Sequence, residues 1–193
     1  MHSGFSIFTL ALCVFSAAVG CGDDGGSTGR DTGTGGGRDS GGGGESGPLT
    51  GITAAHNTVR AATGGGVAPL TWDDGLAATA QAWADNLASR GCDPQHSMGS
   101  GYGENLAAFG GTTGTAQGVV DAWVSERDCY TYGTFMGTDQ CVGCERSGGC
   151  GHYTQVVWAN SRRLGCGMAT CDGAAVWVCR YDPPGNVLTQ EPY

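Results

Sequence analysis

The chain has 193 residues, with 18 Asp and Glu against 9 Lys and Arg, 38 glycines and 10 cysteines. A net charge of -9 with no basic cluster excludes an electrostatically driven nucleic-acid partner. The same balance disfavours steady attraction to an anionic lipid surface.

Residues 5–19, FSIFTLALCVFSAAV, form an apolar run of signal-peptide length that ends in small residues before Cys21. It is too short to read as a membrane span, and residues 1–20 are expected to be an export signal, although no Lys or Arg precedes the run. The junction AAVGC resembles a bacterial lipobox, in which the cysteine becomes the lipidated first residue. Ala18 stands where that pattern usually has Leu, and ordinary cleavage leaving a free Cys21 thiol is the alternative. Residues 21–48 are almost entirely Gly, Asp, Ser and Thr and offer nothing whose burial could offset the entropy of ordering them. They read as a flexible tether.

Residues 49–193 are long enough for one hydrophobic core. They hold 13 Asp and Glu against 7 Arg and no Lys. Eight cysteines remain there: Cys92, Cys129, Cys141, Cys144, Cys150, Cys166, Cys171 and Cys179. An even count behind an export signal argues for four disulfides, although counting alone leaves about a hundred pairings open. The competing reading is a zinc site on Cys141, Cys144 and Cys150, because CVGC has metal-ligand spacing.

Helical periodicity appears first in TGITAAHNTVRAA, where Thr50 can cap and Ile52, Ala55, Val59 and Ala62 share a stripe. His56 flanks that stripe and reads as a structural side chain. TWDDGLAATAQAWADNLASRG repeats the pattern, with Thr71 as cap, Asp73 and Asp74 in the first turn, and Leu76, Ala80, Trp83 and Leu87 on one face. Residues 117–127, QGVVDAWVSER, predict a third helix that places Glu126 one turn beyond Trp123. After Cys129 the texture changes to short segments rich in Tyr, Val, Trp and Thr. HYTQVVW, GCGMATC and AAVWVCRY are the strand candidates, and alternation along the first would put His152, Thr154 and Val156 on one face. Helices followed by hairpin-like strands suggest an α+β fold, an antiparallel sheet covered by helices.

Two further histidines stand outside any core pattern. His96 follows CDPQ, and His152 opens GHYTQVVW. With Glu104 in GYGENLAAF and Glu126 they form a chemically sensible set for one divalent ion of zinc type, or for a polar cluster needing no metal. Their spacings of 8, 22 and 26 residues are not local motifs, so the sequence alone does not make them converge.

The ordered series HNTVR, PLTWDDGLAATAQAWADNLA, HS, GENLA, VDAWVSE, GHYTQVVW, LGCG and VCRYDPPGN resembles the CAP superfamily, which groups cysteine-rich secretory, antigen 5 and pathogenesis-related-1 proteins. It is most similar to the plant pathogenesis-related-1 type and covers nearly all of residues 49–193. The resemblance implies a three-layer α-β-α sandwich with a mostly antiparallel sheet. It also implies a cleft holding His96, Glu104, Glu126 and His152, in which the histidines of some members bind Zn2+ or another divalent cation with the glutamates nearby. It suggests the pairings Cys92 with Cys171, Cys141 with Cys150 and Cys166 with Cys179, leaving Cys129 and Cys144 as an additional bridge.

Three functions follow as expectations. The first is a binding module, extracellular or held at the cell surface as an outer-membrane lipoprotein, with an apolar groove for a lipid or sterol. The second is a structural or protein-interaction module at the surface, meeting a protein partner. The third is a metal-dependent hydrolase using Glu104 or Glu126 as base, although neither an HExxH helix nor an activated Ser or Cys is present. The chain is expected to be a monomer whose only membrane contact is the lipid anchor. Peptide mapping under non-reducing conditions is expected to recover Cys129 joined to Cys144, and either cysteine found free or joined elsewhere rejects the fourth bridge.

Overall fold

The computed structural model describes residues 44–137, 141 and 149–193. Among them four strands form one sheet in the spatial order β1-β3-β4-β2. The inner strand β4 (Ala174–Asp182) pairs antiparallel with β2 (Gly103–Gly110) and β3 (Arg163–Cys171), and the two-residue β1 (Thr71–Trp72) joins β3 in parallel. Alternation along β4 divides the core. Ala175, Trp177, Cys179 and Tyr181 pack with α1 (Ile52–Ala61), α3 (Ala116–Val124) and α4 (Gly151–Val156), while Val176 and Val178 pack with α2 (Asp74–Ala88). The result is the expected mixed α/β sandwich, with a central sheet between two helical layers.

The LGCG motif shows why α2 lies so close to β3. A Cβ at Gly165 would overlap the backbone of Leu76 and Ala77, and one at Gly167 would overlap that of Gln81. Only glycine admits the helix there. Gln81 then pairs with β3 as another strand would: its amide donates to the Met168 carbonyl at 2.9 Å and accepts from the Met168 N–H at 3.0 Å.

Three local readings change. Thr71 does not cap α2; it belongs to β1, and Asp73 caps instead by accepting from the Leu76 N–H at 2.8 Å. Thr50 does not cap α1 either. Glu45, within the segment read as tether, accepts from the N–H groups of Gly51 and Thr53, both at 2.7 Å. The largest change concerns HYTQVVW, which is the helix α4 and not a strand, so His152, Thr154 and Val156 do not share a sheet face. Its composition favours a pleated, half-buried surface, but Tyr153 through Val156 are all buried, and tertiary partners meet both helix ends. GENLAAFG supplies the missing strand as β2.

The HNTVR motif of α1 ties these layers together. His56, fully buried, has Nδ1 2.8 Å from the Ile52 carbonyl and Nε2 2.9 Å from the Tyr181 hydroxyl. Asn57 brackets Leu70, donating to its carbonyl at 3.0 Å and accepting from its N–H at 2.7 Å. Arg60 is equally buried and uses every guanidinium N–H on the backbone carbonyls of Ala68, Val156, Trp158 and Ser161. Burial lowers its pKa to about 10, which leaves it charged at neutral pH.

Disulfides join Cys92 to Cys171, Cys141 to Cys150 and Cys166 to Cys179. The Cys141–Cys150 bond removes the thiolates that a zinc site on these residues would need, which overturns that alternative. Cys129 is disulfide-bonded, and Cys144 lies outside the described residues, as do residues 1–43 with the export signal, most of the tether and Cys21. No helix among the described residues is long and apolar enough to cross a membrane.

Burial lowers the His56 pKa from 6.5 to about 4, with Arg60 adding to the effect against the bond to Ile52. Between these values the unfolded chain binds a proton that the folded chain refuses. The contribution is therefore complete above pH 6.5 and declines as pH falls toward 4. In urea unfolding, stability is expected to fall by about 1 kcal/mol per pH unit across that window from this group. His56→Phe should flatten the slope by that amount, and an unchanged slope would show that His56 protonates freely in the fold.

Candidate functional site

Strand β2 carries the first half of the site. Glu104 lies opposite Arg180 of β4 in the sheet register, and the two side chains approach at 3.4 Å while almost fully buried. Glu104 accepts from the Ser97 N–H at 2.9 Å and the Ser97 hydroxyl at 2.7 Å, and His96 Nδ1 lies 2.9 Å from the same carboxylate. Burial pushes this carboxyl upward, but the bonds from His96 and Ser97 together outweigh it and hold the group below its ordinary value. His96 itself remains open, its side chain 62% exposed. Its loop is pinned by the Cys92–Cys171 bond and by the Trp83 indole, which donates to the Gln95 carbonyl at 2.9 Å.

The second half joins α3 to α4. After Val124 the chain tightens into a 3-10 turn, Ser125–Cys129, which directs Glu126 inward. One oxygen of Glu126 accepts from the N–H groups of His152 and Tyr153, both at 3.0 Å, and the other lies 2.6 Å from His152 Nδ1. Glu126 thus caps α4 from another element and orients the His152 ring in the same contact. A carboxylate at a helix N-terminus also meets the positive end of the helix dipole. The His152 ring stacks on Trp123, with centroids 6.3 Å apart and planes 15° from parallel.

Between the halves lies a cleft of about 460 Å3. His96, His152 and Glu126 meet it from the polar side, and Leu106, Phe109 and Trp123 contribute an apolar wall. Three of the four residues singled out from the sequence therefore border one space. Glu104 stands behind His96, its oxygens directed at Ser97, Arg180 and the His96 ring.

Each imidazole engages its carboxylate through Nδ1, which leaves Nε2 as the ring atom suited to a metal or ligand. Among the described residues no group of three or more His, Cys, Asp or Glu is arranged to hold a metal ion. By chemistry, the imidazoles of His96 and His152 are the donors of this set that would suit a divalent ion, with the carboxylates orienting them.

Several contributing residues escape a reading of the sequence. Ser97, next to His96, supplies two donors to Glu104. Arg180 and Tyr181 lie in VCRYDPPGN without a chemical signature, and Asn105 follows Glu104 in GENL. Asn105 is buried and donates to the His152 carbonyl and the Tyr181 hydroxyl oxygen, both at 3.1 Å.

With this geometry in place, comparison with known proteins is informative. Residues 53–181 match the model of the cysteine-rich secretory protein family, CAP. Pathogenesis-related protein 1B of Nicotiana tabacum is 48% identical over 140 residues, covering 72% of this chain and 77% of that protein. Pathogenesis-related leaf protein 6 of Solanum lycopersicum is 48% identical over 141 residues, covering 72% and 80%. Among solved structures, that of NaASP2 with Zn2+ superposes with a TM-score of 0.60 at 26% identity, covering 76% of this chain and 84% of that one.

Glu126→Ala removes the acceptor for two buried N–H groups and an imidazole. It is expected to lower urea-unfolding stability by about 3 kcal/mol, whereas Asp128→Ala on the exposed side of the same turn should stay within about 0.5 kcal/mol. Equal losses would mean that the cap contributes nothing specific.

Proposed function

The chain belongs to the cysteine-rich secretory protein (CAP) family, and from that premise we propose that it is an extracellular binding module whose cleft takes a divalent cation, with Zn2+ the first candidate, beside an apolar ligand. One observation carries this reading: two imidazoles, each anchored through Nδ1 to a buried carboxylate, border a single cleft with an apolar wall. His96 and His152 would hold the ion through Nε2, while Glu104 and Glu126 set the ring orientations. The ion would supply a Lewis-acidic centre for an anionic or carbonyl group. The apolar side chains of Leu106, Phe109 and Trp123 would receive the hydrocarbon part of a lipid or sterol. The related NaASP2 structure with Zn2+ supports the choice of ion.

The carboxylates favour binding over hydrolysis. A general base needs a free lone pair near an attacking water. Two backbone N–H groups and His152 already take up three lone-pair positions of Glu126, and Ser97, His96 and Arg180 take up those of Glu104. Glu104 is a weaker base still, because its pKa is lowered.

Export by residues 1–20 and attachment through Cys21 would place the module at a membrane surface, with residues 21–43 as tether. A protein partner is the second reading, favoured by the exposed apolar side chains of Met136, Val187 and Leu188. They occur on two segments joined by the Thr189 N–H to the Phe135 carbonyl and the Phe135 N–H to the Gln190 carbonyl.

Calorimetric titration of the full chain with ZnCl2 is expected to show one site per chain. His96→Ala and His152→Ala should each weaken it by at least about 100-fold. Absence of saturable binding by the wild-type chain, or affinity unchanged in both variants, would remove the cation from the proposal.

A further inference from the structure

The deepest polar groups near the cleft form a directed chain. His56 Nδ1 faces a carbonyl, that of Ile52, so this nitrogen must carry the proton. Burial keeps the ring neutral, which makes Nε2 an acceptor. The Tyr181 hydroxyl 2.9 Å away must then donate to it. With its proton committed, the Tyr181 oxygen can only accept, and the Asn105 amide nitrogen supplies that bond at 3.1 Å. The second amide hydrogen of Asn105 is directed to the His152 carbonyl at 3.1 Å. Flipping the Asn105 amide would set its oxygen against two oxygens with no hydrogen to offer. Each orientation therefore follows from the one before it, beginning at a single helix carbonyl in α1.

All three side chains are at least 99% buried. Breaking the chain would leave polar groups where water does not reach, at a cost that holds it in one arrangement. Its far end grips the residue whose N–H and ring Nδ1 are held by Glu126. His152 is thus fastened at its carbonyl from β2, and at its N–H and ring from the turn after α3. The Glu126 grip holds the N–H and the ring, and the Asn105 grip adds the carbonyl, so the main chain of His152 is held on both sides of its Cα.

We propose that His56, Tyr181 and Asn105 act as positioning residues for His152, a buried relay that sets where the cleft imidazole stands although none of the three borders the cleft. The inference rests on the binding function assigned to His152, and it concerns three residues that do not line the cleft. The consequence is local: loss of the Tyr181 hydroxyl frees the Asn105 amide to rotate and releases the first turn of α4, while the α2 side of the sheet is untouched.

Two readouts on the full-length chain separate this from a general loss of stability. In amide hydrogen exchange, Tyr181→Phe is expected to speed exchange at His152 and Tyr153 by about 10-fold or more relative to Ala80 and Ala84 in α2. A variant that merely destabilises the fold would raise all four together, and that outcome overturns the proposal. Asn105→Leu, which removes the amide at similar volume and leaves Tyr181 and His56 in place, should give the same local pattern if Tyr181→Phe fails to fold. In zinc titration both variants should weaken binding by about 10- to 100-fold, as other outer partners of a metal-binding histidine do. Wild-type affinity in both variants would overturn the relay. If the wild-type chain binds no zinc, the cation reading fails by itself, and the exchange pattern still decides the relay.

Discussion

Helix α4 has six residues and cannot persist on its own, because a helix this short has too few internal bonds to offset nucleation. It exists because two buried charges meet its ends. The Glu126 carboxylate accepts from the N–H groups at the start, and the Arg60 guanidinium donates to the carbonyls of Val156 and Trp158 at the finish. Both signs match the helix dipole. Each charge comes from a different helix-bearing segment, so α4 can form only once α1 and the turn after α3 are in place. The position of His152 depends on that double clamp, and so does the docking of the C-terminal segment, where Gln155 accepts from the Gly185 N–H at 2.9 Å and Thr154 donates to Asn186 at 2.7 Å.

The clamp makes the two halves of the cleft unequal. His152 stands on a buried helix with its main chain and ring both held, and its side chain is 26% exposed. His96 stands on a disulfide-pinned loop, with only its ring held by Glu104, and is far more open. One imidazole is preset and the other has freedom to adjust. In the proposed binding module, such a pair would leave the ordering that remains to one side chain. Glu104 and Glu126 serve this arrangement by orienting the rings.

The helical stripes of α1, α2 and α3 were legible because each element keeps one apolar face against a sheet, and a 3.6-residue period records that relation directly. The strands β3 and β4 were legible as β-rich runs bounded by glycine. HYTQVVW misled for a definable reason. Its Tyr, Thr and Val favour strands in proportion to how well they pack on a pleated surface, but here they are surrounded on all sides, and burial no longer distinguishes a helix from a strand. Thr71 misled more mildly: a cap-like residue two positions early was claimed by the edge of the sheet through parallel pairing with Arg163.

His96, Glu104, Glu126 and His152 were chemically conspicuous in the sequence, as polar side chains in segments with no evident need of them, and the motif series of the CAP family placed them in one cleft. Residue type alone thus determined which groups could act, and periodicity determined most of the layers that carry them. Only the tertiary structure decided how those groups are used. It turned the strand candidate at His152 into a helix, set each carboxylate against an imidazole Nδ1, and chose Asn105, Tyr181 and His56 to hold the site from within. Apart from the His96–Glu104 pair, eight residues apart, those outcomes depend on hydrogen-bond partners 26 to 125 residues apart in the chain, and contacts at such separations leave no local period or spacing to be read.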